Sequence, residues 1–384
     1  VKMKTEGFVV FGPWPDLATA RLFLASLAGL EPAAKWDLPG AGSTAVGQWL
    51  VQQGLGPLAF AHCRQTFPEL AAYLEADSYT AVAQSSLNTD SLTRIEMAFK
   101  EAGLPLVLLK GAALARTVYG DAAWRTMSDV DIWVREKDMA RAAAVMKQLG
   151  YLMHGGRTDR SLALQMLSQG EIQFYGQHWG MVELHWSPFP GWWLKRTAAV
   201  DETAVWDRLE PLAVNKAVYQ LGAEDMVIQV AVHLAVNSQF SIAAVRGLLD
   251  IALTAKSRPV DWGEVARRAQ TWRVATAVWQ ALTLLDQLIG TPGLAAALQR
   301  LRPSRLRRWL LRKFVSAESI LRGSDLRNGR SRFLLLLLLV DRRRDMIHLV
   351  WRTLWPETEW LDARYQGQGS RWFHLWQVVR YGRV

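Results

Sequence analysis

The sequence predicts an α+β protein, with a small mixed-sheet nucleus flanked by mostly helical N-terminal and C-terminal regions. Two observations carry this. Between residues 104 and 193, short apolar or alternating runs are separated by helical stretches, the order expected of a small mixed α/β unit. On either side, apolar residues instead recur near a 3.6 period, with Gly and Pro breaks. The expected divisions are a helical region over 1–103, the α/β core over 104–193, a helical domain over 194–300 and an Arg-rich helical region over 301–384.

Taken in order, Ala45–Phe60 and Leu70–Ala83 are rich in alanine and leucine, and Asn88–Ala102 sets Leu92, Ile95, Phe99 and Ala102 at helical spacing. Gly103-Leu104-Pro105 ends that helix. Leu106–Leu109 is wholly apolar, as a strand covered on both faces should be. A helix over Ala112–Val118 and a loop over Tyr119–Thr126 lead into a second strand, Asp129–Val134. Glu136–Leu149 is an amphipathic helix, a strand starts at Gly150, and Glu171–Tyr175 with Met181–Trp186 reads as a hairpin about residues 176–180. From Leu194 onward helical periodicity returns, in Glu224–Asn237, Ala244–Lys256, Trp262–Thr271 and Ala275–Ile289.

Composition narrows the function classes. With 384 residues, half of them hydrophobic, the chain can bury a large core. A lone cysteine, Cys63, excludes an intrachain disulfide framework and a Cys-rich zinc site. No leader-like segment opens the sequence, and the longest apolar run, Phe333–Val340, falls far short of the roughly 20 residues of a membrane span. A cytoplasmic protein is the expectation. Many of the 19 tryptophans sit beside apolar neighbours, and most read as core or interface residues. The charge is uneven: residues 301–384 carry 17 Arg, one Lys and seven acids, whereas residues 1–300 are nearly balanced. That basic region is either a solvated helical surface or a docking face for nucleic acid, an acidic peptide or a membrane surface.

The chemistry concentrates at Ser128-Asp129-Val130-Asp131. Alternate residues of a strand share a face, so Asp129 and Asp131 project together, and paired carboxylates call for a neutralising cation. Mg2+ or Mn2+ suits such oxygen ligands and holds phosphates. Two-metal phosphoryl or nucleotidyl transfer generally takes one more carboxylate. Glu183 fits, in an alternating run where it shares a face with His185, which either orients the site or supports it structurally. Lys110 and Arg125 are placed to neutralise a triphosphate, although Arg125 has salt bridges to Asp129 or Asp121 as its bland alternative. Gly111 is expected to open a helix whose N-terminal amides are available to a phosphate. No Walker loop occurs. His233 reads as a hydrogen-bonded core residue, Glu224-Asp225 as a helix start, and Arg246 with Asp250, four apart, as a helical pair.

The set Leu109-Lys110-Gly111, Arg125, Ser128-Asp129-Val130-Asp131 and Glu183-Leu184-His185-Trp186 resembles the bacterial uncharacterised nucleotidyltransferase family, within the DNA polymerase beta-like superfamily. Asn88, the DMVIQVAVH and RGLLD segments and Trp355-Pro356 extend the likeness over most of residues 45–365. The resemblance implies a metal triad of Asp129, Asp131 and Glu183, with Lys110, Gly111, Arg125, Ser128 and His185 around the bound NTP, ATP among the candidates. One departure stands out. Where the superfamily carries Gly-Ser, with the Ser touching phosphates, this chain has Gly111-Ala112. Either Lys110 takes over that contact or the triphosphate sits differently.

The expected activity is transfer of a nucleoside monophosphate from an NTP to a hydroxyl-type acceptor, with pyrophosphate released. A small molecule or a peptide is the first choice of acceptor, since some relatives accompany gene clusters for modified peptides. The alternatives are an RNA acceptor such as a tRNA end, in a toxin-like enzyme, and a non-catalytic nucleotide-binding protein. Three clustered acids argue against the last.

Overall fold

The computed structural model describes residues 13–31, 42–153, 170–176, 180–212, 215–241, 243–323, 329–365, 367 and 369–381. The chain begins with α1 (Leu17–Leu27), capped by the Asp16 carboxylate accepting from the Thr19 amide at 2.7 Å. Then come α2 (Gly42–Gln52), α3 (Gly56–Cys63) and α4 (Pro68–Glu101). Two sequence expectations change here. The helical stretch over Ala45–Phe60 is divided in two because Gly54 adopts φ +66° and Leu55 bonds back to Leu50, so α2 closes before Pro57 in the first turn of α3. Conversely, the two helices expected over 70–83 and 88–102 are one, since nothing between Gln84 and Leu87 breaks a helix. At 34 residues, α4 is about 50 Å long. Gly103 at φ +64° ends it, as the Gly-Leu-Pro sequence implies.

The core follows as β1 (Leu106–Leu108), α5 (Lys110–Thr117), β2 (Asp129–Trp133), α6 (Met139–Gln148), β3 (Tyr151–Met153), β4 (Glu171–Gly176) and β5 (Gly180–His185). Each of these strands was legible from the sequence. Next are α7 (Trp192–Thr197), α8 (Glu202–Trp206), β6 (Glu210–Leu212) and β7 (Asn215–Gln220). The last two correct the expectation of a helical chain from Leu194 onward. All seven strands form one mixed sheet, in the order β3-β4-β5-β2-β1-β7-β6. β1 runs antiparallel to β2 and parallel to β7, while β2 and β5 are parallel. This pairs β1 along both edges, and its three residues are fully enclosed.

The helical remainder comprises α9 (Ala223–Val232), α10 (Ala244–Ser257), α11 (Trp262–Thr271), α12 (Ala275–Leu288), α13 (Leu294–Arg300), α14 (Arg305–Phe314), α15 (Ala317–Leu321), α16 (Gly329–Leu339), α17 (Arg343–Leu354), α18 (Thr358–Tyr365) and α19 (Arg371–Tyr381). An α+β protein with helical flanks is the result. Glu224 and Asp225 do start a helix, but Asp225 is also buried between the guanidiniums of Arg208 and Arg268, at 3.0 and 2.7 Å. Among the described residues no helix is long and apolar enough to cross a membrane.

Candidate functional site

Strand register assembles the acids. Asp131 of β2 lies directly opposite Glu183 of β5, and Glu183 opposite Gln173 of β4. Asp129, two residues before Asp131, shares its face. Asp129, Asp131 and Glu183 floor a cavity of about 310 Å³, in the size range of small-molecule sites. Asp131 is the centre. Its Oδ1 accepts from Lys110 Nζ at 2.8 Å and lies 2.9 Å from His185 Nε2. Asp131, Glu183 and His185 each offer a ligand atom within 4.8 Å of the others, so the donor set fits a metal ion. Asp129 stands beside this cluster, its carboxylate accepting from Ser128 Oγ at 3.0 Å.

Electrostatics follow from crowding. Burial raises the pKa of Asp131, but Lys110 and His185 outweigh it and hold the carboxyl far below the ordinary range. Glu183 is pushed up to about 7, by burial first and then by the charges of Asp131 and Glu171. Burial and Asp131 likewise raise Asp129. The Lys110 ammonium loses stability on burial, yet Asp131 more than offsets this, and its pKa rises. Lys110 already stands where a cation is wanted. Its backbone sits at φ +42°, a region non-glycine residues rarely adopt, with its amide directed at Gln229 Oε1 (3.4 Å).

The other expected residues are placed as follows. Gly111 lines the cavity within α5, which begins one residue earlier at Lys110. A Cβ there would meet the Met127 side chain at 2.9 Å, so a larger residue would have to displace it. Arg125 also lines the cavity, but neither Asp129 nor Asp121 is its partner. It grips Asp250 with Nε and Nη2, both at 2.8 Å. Tyr119 donates to the same carboxylate at 2.8 Å. Asp250 is therefore not Arg246's partner, contrary to the helical pairing expected. Arg246 Nη1 instead donates to the Thr126 carbonyl (3.1 Å) and Oγ1 (2.8 Å).

Several residues escaped the sequence reading. Glu171 adds a fourth acid, its Oε2 3.4 Å from His185 Nδ1. Gln173 Nε2 donates to Glu183 Oε1 at 2.8 Å and orients it. Both lie at alternate positions of β4, facing β5, and strand alternation was the signal that could have found them. Opposite the acids, the cavity is closed by α9, α10 and a π-helical turn over His233–Asn237, a widening frequent at functional sites. His233 faces this cavity rather than only the core. Its Nδ1 is buried without a hydrogen-bond partner, and burial, with Lys110 adding, lowers its pKa to about 3.

A family described as uncharacterised nucleotidyltransferase matches residues 41–290, well over half of the chain. The chain belongs to that family. The matched span contains all five acids that line the cavity, Lys110, Arg125 and both helices of the opposite wall, while α1 and α13–α19 lie outside it. No curated protein and no solved structure matches the sequence.

Proposed function

We propose that the chain moves a nucleoside monophosphate from an NTP onto a hydroxyl of a small molecule or peptide, with Asp129, Asp131 and Glu183 as its metal-binding carboxylates. The observation that carries this reading is the register of β2 and β5, which sets Asp131 against Glu183 beside Asp129 and Lys110 on a cavity floor. Bound Mg2+ or Mn2+ supplies Lewis-acid neutralisation of the reacting phosphate oxygens and of the attacking oxygen. The acceptor oxygen forms a bond to the α-phosphorus, and the bond from that phosphorus to the bridging oxygen breaks. Pyrophosphate leaves with the electron pair. Glu183, held by Gln173, is placed to receive the hydroxyl proton. Lys110 compensates phosphate charge once it releases Asp131, and His185 fixes the Asp131 carboxylate. Asp131→Ala should abolish pyrophosphate release and nucleotidylation of acceptors, followed by mass spectrometry, while the chain stays folded by circular dichroism. Transfer at the wild-type rate would sink the assignment.

A second reading takes RNA as the acceptor. It is favoured by α14 and the turn before it, where Arg302, Arg305 and Arg312 are exposed and, among the described residues, without a carboxylate partner, beside exposed Trp309. RNA binding would weaken steeply as salt rises, whereas a small or peptidic acceptor would not show that slope.

A further inference from the structure

Three cationic side chains line the cavity, and they are not equivalent. Lys110 is neutralised by Asp131 and Arg125 by Asp250. Arg246 has no carboxylate within ion-pair distance among the described residues, and only its Nη1 is engaged, at Thr126. That single anchor is well built. Thr126 Oγ1 is itself tied to the Gly54 carbonyl at 3.0 Å, and the guanidinium packs so closely on Gly54 that a Cβ there would lie 2.5 Å from Nη1. The other two nitrogens are left for a ligand. Burial and the neighbouring Arg125 destabilise this cation and lower its pKa to about 10. A half-buried charge of this kind is stabilised when an anion enters.

The rest of the helical wall suits the same ligand. His233 stays neutral and presents a buried, unpartnered Nδ1, and Ser238 adds a hydroxyl to the lining. The wall therefore offers one unpaired guanidinium and neutral polar groups, facing a floor of four acids. An anion seated at Arg246, with its reacting end toward cations on the floor, satisfies both sides. The turn at Gly111-Ala112 lacks a hydroxyl that could take the anion instead.

We propose that Arg246 seats the polyphosphate tail of the nucleotide, which places the triphosphate against α10 rather than against the turn after β1. The inference rests on the nucleotidyltransferase reading given above. A guanidinium fork matches two phosphate oxygens at once, and it would also stabilise the charge on departing pyrophosphate.

The test is calorimetry on the full chain with Mg2+ and each of the four common NTPs, then with tripolyphosphate, the matching monophosphate and the nucleoside. For Arg246→Gln, NTP and tripolyphosphate binding should weaken about tenfold or more, as loss of a charged hydrogen bond implies. The loss should shrink for the monophosphate and vanish for the nucleoside, a gradient that a merely structural role would not produce. Arg246→Lys should recover part of the affinity. Unchanged tripolyphosphate and NTP affinity in Arg246→Gln, with the wild type binding both, would overturn the assignment of Arg246 alone. A wild type that binds no NTP would overturn the parent reading as well. Should the Gln variant not fold, phenylglyoxal modification of the wild type decides. Arg246 should be shielded by tripolyphosphate, and equal labelling with and without it would refute the seat.

Discussion

The floor of the cavity and its helical wall place their charges by different means. On the floor, strand alternation and register bring Asp129, Asp131 and Glu183 onto one face, so position along the chain nearly dictates position in space. On the wall, Arg246 and Asp250 look from sequence like a helical i,i+4 pair, yet each is taken by a residue more than a hundred positions away. Local geometry fixes the first arrangement and tertiary competition the second. Asp250 meets both Arg125 and Tyr119, a fully satisfied buried carboxylate, and Arg246 is left with charge to spare.

The sharpest way to separate floor from wall is through metal and charge. Asp131→Asn should remove detectable Mn2+ binding by calorimetry, because it deletes the charge at the centre of the donor cluster. Retained Mn2+ affinity would move the metal site elsewhere. Asp250→Asn should leave the donor cluster in place but lower stability by about 3–5 kcal/mol, since Arg125 stays buried without its partner. An unshifted urea midpoint would mean that the wall's ion pair is not structural. Gln173→Leu frees Glu183 from its orienting bond and should weaken Mn2+ binding by about 10–100-fold with little change in unfolding. If affinity stays constant, Glu183 needs no such support. Gly54→Ala is the mildest. It forces a side chain into φ +66° against Arg246, and should cost about 1–2 kcal/mol in thermal unfolding without affecting Mn2+ binding.

The same contrast explains how much was legible. β1, β2 and the β4–β5 hairpin were readable because apolar runs, alternation and glycine breaks are local signals. Glu183 was found at a distance of fifty residues because it too lies on an alternating strand. β6 and β7 were missed because β6 has only three residues, one of them a proline, and the strand character of β7 comes from its pairing with β6 and β1. Arg125 illustrates the limit. Its presence near the acids could be read, but its choice of Asp250 over Asp129 and Asp121 depends on where α10 packs. The break at Gly54 is different, since Gly54-Leu55-Gly56-Pro57 is itself a stop-and-start signal that the apolar, alanine-rich composition of the segment masked.

The pairing of β1 with β7 has a consequence for how the chain is made. β1 is finished near residue 108, but its parallel neighbour arrives only with residues 218–220. During synthesis, more than a hundred residues must emerge before one side of that apolar strand gains its hydrogen-bond partner. A ribosome stalled just after β5 would display Leu106–Leu108 as an open edge, the kind of surface that recruits chaperones or seeds aggregation. Slowing elongation between the two strands should therefore lower the soluble yield of this protein.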